Sequence, residues 1–230
     1  MRSCAMLLFR GINVSLPQRL KIDFVSDVSC PWCVIGLLAL QQALQRLEGK
    51  VQADLHFQPF ELNPHMPAEG QDIQEHLQQK YGSSPEQAAQ VRENIHQRGA
   101  ELGFTFKLQE RSRIYNTFDA HRLLHWAGLQ GRQMELKQAL FRAYFSEGEN
   151  PSDPAVLARQ AGEVELDPVR AAEILAGDEF AAEVRDAQER YQGNGVQAVP
   201  SIIINDRHML QGGQPVEVFE RALLQIASAT

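Results

Sequence analysis

The sequence predicts an α/β fold, a small mixed sheet with helices on its faces and a large all-helical insertion. Three observations predict it. The apolar run Leu20-Lys21-Ile22-Asp23-Phe24-Val25 leads into Ser29-Cys30-Pro31-Trp32-Cys33 and then into a helical pattern. A long series of capped helical segments follows. Strand signals then return in Val199 to Asn205, ahead of a last amphipathic segment.

Leu20 to Ser26 reads as the first strand, because Leu, Ile, Phe and Val are interleaved with single polar residues. From Pro31 toward Leu47, Val34, Ile35, Leu37, Leu38, Leu40, Leu44 and Leu47 recur at helical spacing, and Gly49 ends the pattern. Val51, Ala53, Leu55 and Phe57 alternate with polar residues up to Phe60, a second strand closed by Pro59. A helix between two strands makes them parallel neighbours.

From about Asn63 to about Tyr191 the pattern is almost wholly helical. Asp72 to Tyr81 is one short helix. Ser84-Pro85-Glu86-Gln87 is a capping box with proline in the first turn, opening a helix to Leu102 that stops at Gly103. Asn116 or Thr117 opens a helix with Phe118, Ala120, Leu124 and Ala127 on one face and Gly128 as its stop. Met134, Leu140, Phe141, Tyr144 and Phe145 mark the next, ending at Gly148. Asp153-Pro154 and Asp167-Pro168 are further cap-plus-proline starts, and a helix with Phe180 and Val184 ends near Gly193.

The β-branched run through Ile202, Ile203 and Ile204 is a strand. Asn205-Asp206 turns it back on His208 to Leu210. Pro215 opens a final helix with Val216, Phe219, Leu223 and Ile226 on its buried face. Without the helical block the order is βαβ plus ββα. The block is too long for a loop and reads as an insertion into that sheet fold.

Composition narrows the function classes. The chain has 230 residues, a formal net charge of −7 and 22% charged residues, as in an ordinary globular protein. The negative charge argues against nucleic acid and anionic membranes as partners, and no stretch is apolar for long enough to span a bilayer. Three cysteines are too few for a disulfide-stapled secreted scaffold, and Cys4 has no evident partner. Residues 1–19 read as an N-terminal extension. Arg10 cuts its apolar run short with no clean cleavage site behind it, so the cytoplasm is the expected compartment.

A strand, Cys-x-x-Cys and a helix in that order suit thiol–disulfide exchange. Cys30 sits at the mouth of the helix, where unpaired N–H groups and the positive dipole end stabilise a thiolate. Cys33 lies about one turn further on, within reach for a disulfide. Half a zinc site and a structural disulfide are the other readings. Zinc asks for four N or S ligands, and no second CxxC or spaced His pair accompanies this one.

The resemblance rests on Asp23-Phe24-Val25-Ser26-Asp27-Val28-Ser29-Cys30-Pro31-Trp32-Cys33, Pro59-Phe60-Glu61-Leu62-Asn63-Pro64 and Asn116-Thr117-Phe118-Asp119-Ala120-His121-Arg122-Leu123. It continues in Gly195-Val196-Gln197-Ala198-Val199-Pro200 and Gln211-Gly212-Gly213-Gln214-Pro215. In these stretches the chain resembles the DsbA-like branch of the thioredoxin superfamily, with its inserted helical domain, and within it the FrnE-like group of dithiol–disulfide oxidoreductases. The resemblance implies a thioredoxin-like domain from residues 20–62 and 194–230, with residues 63–193 as the inserted helical domain. It implies Cys30 as the attacking cysteine, Cys33 as the resolving one, and a cis-proline at Pro200 that aims the backbone of Val199 at substrate. Without the resemblance, Pro200 reads as a proline at the start of an edge strand. The family often has an aromatic after the second cysteine; Val34 stands there, which makes the rim of the site less aromatic.

The expected function is a thiol–disulfide oxidoreductase or isomerase working through a mixed disulfide, with Pro31 and Trp32 shaping the redox poise and the substrate contacts. Its partners are protein or small-molecule thiols and disulfides, with glutathione a candidate, and it needs neither metal nor cofactor. Two alternatives stand beside it. One is a glutathione-dependent isomerase or transferase like the 2-hydroxychromene-2-carboxylate isomerases and kappa-class glutathione transferases, which resemble this chain but carry serine where Cys30 stands. The other is a non-enzymatic, chaperone-like binding protein. Asp23 and Asp27 read either as carboxylates acting on the sulfurs or as solvated strand-end residues. His121 and His125, at i and i+4, read as a core or surface pair rather than a metal site; Asn116, Asp119 and His121 could instead face the cysteines.

Overall fold

The computed structural model describes residues 17–67, 69–108 and 113–229. Most of the expected N-terminal extension, with Cys4, lies outside the described residues. Its last two residues do not belong to an extension. Strand β1 is Gln18–Ser26, and its first two residues pair in register with Val51 and Gln52 of β2 (Val51–Pro59). The backbone bond from the Gln18 N–H to the Lys50 carbonyl, 2.9 Å, fixes that start.

Helix α1 (Pro31–Arg46) connects the two strands, which are parallel. Near the C-terminus, β5 (Ser201–Ile204) pairs antiparallel with β1, and β6 (His208–Gln211) pairs back on β5, giving the order β2-β1-β5-β6. Asn205 and Asp206 both take positive φ, 52° and 55°, in the turn between the paired Ile204 and His208, closed by the Arg207 N–H donating to the Ile204 carbonyl at 3.1 Å. Helix α9 (Val216–Ser228) closes the chain against α1.

Between β2 and β5 the chain is mostly helical. Asp72 caps the helix Ile73–Tyr81, and Ser84 and Gln87 form the expected capping box on Pro85–Glu101; these are α2 and α3. Gln71–Asp72 and Arg113–Ile114 add a two-residue ladder, β3 and β4, that periodicity did not announce. The Arg113 guanidinium holds it by donating to the carbonyls of Glu69 and Gly70 at 2.8 and 2.9 Å. Helix α4 (Phe118–Leu129) runs one residue past Gly128, because Gln133 donates to the Leu124 carbonyl and ties the turn into α5 (Gln133–Phe145). Helix α5 ends at Phe145, before Gly148. The helices Pro154–Glu163, Pro168–Ala176 and Ala181–Gly193 are α6, α7 and α8.

The main core lies between the sheet, α1 and α9, with Leu20, Ile22, Phe24, Leu40, Phe219 and Leu223 fully buried. Phe141, Tyr144 and Phe145 of α5 join that same core. At about 1.5–3 kcal/mol for each fully buried large apolar side chain, this shared core fixes the helical stretch against the cysteine helix. A second core gathers Leu123, Leu124, Leu136, Leu157 and Ile174 around Val28, just ahead of the cysteines.

Candidate active site

Cys30 occupies the N-cap of α1 in extended conformation, with Pro31 in the first turn. No side chain caps this helix end, and Cys30 stands at its positive dipole end. A turn from the Asp27 carbonyl to the Cys30 N–H, 3.2 Å, brings the strand sharply into the helix. Cys33 is fully buried and Cys30 is 4% exposed; both are free thiols. Burial, then the hydrogen bond to Cys30 and the Cys30 charge, push the Cys33 thiol well above its ordinary range. The inner sulfur therefore keeps its proton more firmly than an ordinary thiol.

The peptide bond before Pro200 is cis, and the Cys30 thiol donates toward the Val199 carbonyl at 3.7 Å. Two glycines allow this approach. A Cβ on Gly36 would lie 2.9 Å from Cγ of Pro200, and one on Gly213 would lie 3.1 Å from the Trp32 carbonyl and from Cγ2 of Ile35. The Gly212 N–H donates to the Pro200 carbonyl at 2.8 Å and holds the two loops together.

Beneath the cysteines lies a buried charged floor. Asp27 is fully buried, not a solvated strand-end residue, because its carboxylate accepts from the N–H groups of Ser29 and Leu62 at 3.1 and 2.7 Å. Burial alone would raise it, but His121 and those two donors outweigh that and hold it below the usual carboxylate range. Nε2 of His121 lies 3.8 Å from Asp27 and 3.1 Å from the Phe60 carbonyl, to which it donates. Lys137 of α5, also fully buried, sits over the rings of Phe141 and Phe57, its Nζ 5.0 and 5.9 Å from their centroids. Asp23 is buried too, bonded to Gln58 at 2.8 Å and paired with Lys21 at 3.0 Å.

The roof comes from α2 and α3. The Arg98 guanidinium lies 5.7 Å from the Trp32 ring centroid, within cation–π range. Tyr81, at the end of α2, is 59% exposed, and its phenol is pushed up by partial burial and then by the nearby Cys30 charge.

The structure thus brings Cys30, Cys33, Pro31, Val199 and Pro200 together, with Trp32 on the rim. Val34 is 1% exposed and packs in the core, so it does not shape the rim. His121 reaches the floor of the site. His125 instead stacks on Phe180 at 5.2 Å, Asp119 pairs with Arg122 at 2.8 Å, and Asn116 bonds to Glu61 at 3.3 Å. Among the described residues no cluster of three His, Cys, Asp or Glu could hold a metal. Sequence reasoning missed Lys137 and Arg98. Lys137 carried a signal: it falls three residues after Met134 and four before Phe141, on the apolar stripe of its helix. Arg98, on a polar helix face, carried none.

A family model for the DSBA-like thioredoxin domain matches residues 21–224. The uncharacterized protein YwbO of Bacillus subtilis (strain 168) is 26% identical over 203 residues, which are 88% of this chain and 94% of YwbO. The crystal structure of the probable DsbA oxidoreductase SCO1869 from Streptomyces coelicolor is 30% identical, with a TM-score of 0.85, over 91% of this chain and 90% of that one. The cytosolic disulfide reductase DsbM from Pseudomonas aeruginosa, solved with GSH, shares the fold at 18% identity and a TM-score of 0.62, over 91% of this chain and all of DsbM (100%). No described helix is long and apolar enough to cross a membrane. With a dithiol at the tip of α1 and a family match spanning nearly its whole length, the chain belongs to the DSBA-like thioredoxin domain family, whose members are typically thiol–disulfide oxidoreductases.

Proposed function

We propose that the protein is a dithiol–disulfide oxidoreductase in which Cys30 attacks a substrate disulfide and Cys33 resolves the mixed disulfide. The observation that carries this reading is the position of Cys30. Its sulfur stands at an uncapped helix N-terminus, 3.7 Å from the Val199 carbonyl, with a buried thiol one turn behind it. The buried second thiol holds its proton until a disulfide has formed in front of it. In this reading Pro31 and Trp32 border the bound sulfur compound, and the backbone of Val199, ahead of Pro200, aligns it.

The partners are thiols and disulfides, with glutathione as the small-molecule candidate. The bound GSH in the DsbM structure supports that choice, as do the rim cation Arg98 and the aromatic faces of Trp32 and Tyr81. A cytoplasmic setting is part of the same proposal, in line with the cytosolic DsbM. We read residues 63–193 as the inserted domain that supplies the roof and part of the floor.

The test is turnover of a small disulfide with Cys30→Ser. Complete loss is expected. Turnover retained in that variant overturns the assignment. Saturable glutathione binding to the same variant identifies the small-molecule partner.

A further inference from the structure

We propose that Arg98 is a specificity-determining residue, which gives the site a preference for disulfides that carry a carboxylate. The proposal rests on the dithiol reading above and names the substrate class within it. It starts from a cation left without an anion. Arg46, Arg122, Arg132, Arg159, Arg170 and Arg185 each meet a carboxylate. Arg98 meets none among the described residues, and the group it does approach is the ring of Trp32. Glu101, exposed and three residues further along α3, stands at the spacing for an ion pair, yet the guanidinium is turned to the indole instead.

A cation in the last turn of a helix is favourable on its own. That accounts for the charge and not for its place. Ile95, one turn earlier, is buried in the core that α1 shares, which fixes this face of α3 toward the cysteine helix. The guanidinium then lies 5.7 Å from the Trp32 ring centroid. In the motif, Cys30 and Cys33 are buried while Pro31 and Trp32 are half-exposed. A substrate therefore reaches the Cys30 sulfur past those two residues and the half-exposed Val199, with Arg98 beside its approach.

The chemistry of the cation selects the ligand. A guanidinium held by a ring keeps N–H groups for a planar acceptor, and a carboxylate matches that fork with two parallel bonds. The indole also restricts the side chain before the anion arrives, which lowers the entropy lost on binding. The chain carries a net charge of −7 and repels anions at long range; a fixed cation at the mouth reverses this locally. Lys80, in the other roof helix, is already engaged, its ammonium donating to the Leu62 carbonyl and to Oδ1 of Asn63 at 2.7 Å each.

The test compares alkylation of Cys30 by iodoacetate, an anion, and by iodoacetamide, its neutral counterpart, in a Cys4→Ser, Cys33→Ser background. The ratio of the two rates cancels any change in Cys30 ionisation and reads only the charge of the incoming reagent. Arg98→Met should lower that ratio by about three- to tenfold, the range of a half-buried charge pair. High salt should lower it in the parent protein toward the same value. Arg98→Lys, which keeps the charge and loses the fork, should retain part of the preference. With all other cysteines restored, kcat/KM for dithiodiglycolate relative to neutral hydroxyethyl disulfide should fall with the alkylation ratio. Arg98→Gln repeats each measurement in case methionine packs badly. An unmoved ratio in a folded variant overturns the proposal, as does an equal change for charged and neutral reagents. If no variant folds, the arginine is structural and the proposal falls. Alkylation needs no disulfide exchange. A lowered ratio in a protein without turnover sinks the dithiol reading alone, and turnover with an unmoved ratio sinks the role of Arg98 alone.

Discussion

Gly36 of α1 and Pro200 of the opposite loop are matched in shape, since any side chain on the glycine would place its Cβ 2.9 Å from the proline ring. The two residues are far apart in sequence, yet their fit sets how near Val199 comes to Cys30. Gly36→Ala should therefore destabilise the fold by about 1–3 kcal/mol, as overpacking of a rigid contact does. It should also slow disulfide exchange, because the displaced loop carries the Val199 carbonyl. Gly193→Ala is the control: no atom lies within 4 Å of a Cβ there, and the residue ends a helix. That change should be neutral or stabilise by up to about 1 kcal/mol. Urea midpoints of both variants decide the matter.

Asp27→Asn should cost about 1–3 kcal/mol at neutral pH, because an amide oxygen can replace only one of the two carboxylate oxygens that accept from Ser29 and Leu62. The sign with pH follows from the depressed carboxyl. A carboxyl held below its unfolded value adds stability at pH above that value, and loses it as the pH falls through the folded value. The gap between wild type and variant should be full at pH 7 and shrink below about pH 4. A gap constant from pH 7 to pH 2, read by thermal unfolding, would rule this out.

Much of this arrangement was legible in the chain. Cys30 at a strand-to-helix junction, the Pro-marked helix starts at Asp153 and Asp167, and the Ser84 capping box are local signals, and local chemistry decides them. What was not legible depends on partners distant in sequence. Asp27 read either as a carboxylate acting on the sulfurs or as a solvated strand end, and Leu62 and His121, distant in sequence, are what close over it. The β3–β4 ladder is two residues long and held by one arginine, too short to show a period. Arg98 reaches Trp32 across the fold, and Val34 turns inward, which a helical pattern with a broad apolar face could not resolve.

Cys33→Ser should accumulate covalent adducts on Cys30. The buried position of Cys33 supplies the second thiol, and without it an attacked disulfide has no intramolecular way out. In a Cys4→Ser background, incubation with oxidised glutathione followed by intact-mass measurement should show one glutathione per chain, removed by a reductant. Cys30→Ser should show none on Cys33, which is shielded. Equal labelling of both variants would contradict the division of labour between the two sulfurs.

The buried ammonium of Lys137 also predicts a stability profile in alkaline solution. Burial depresses it from its ordinary value of 10.5 to about 8, so below that pH the fold bears the whole cost of holding the charge. As the pH rises from about 8 to 10.5 the folded chain sheds this proton while the unfolded chain retains it, and stability increases. The Cys33 thiol, raised by burial, titrates with the opposite sign at alkaline pH. The comparison therefore belongs in a Cys30→Ser, Cys33→Ser background. There, Lys137→Met should be more stable than its parent at pH 7 by a few kcal/mol, and the advantage should fade toward pH 10.5. Denaturant midpoints at the two pH values measure it. A methionine variant less stable than its parent at pH 7 would mean that the lysine is held by bonds of its own rather than tolerated for its charge.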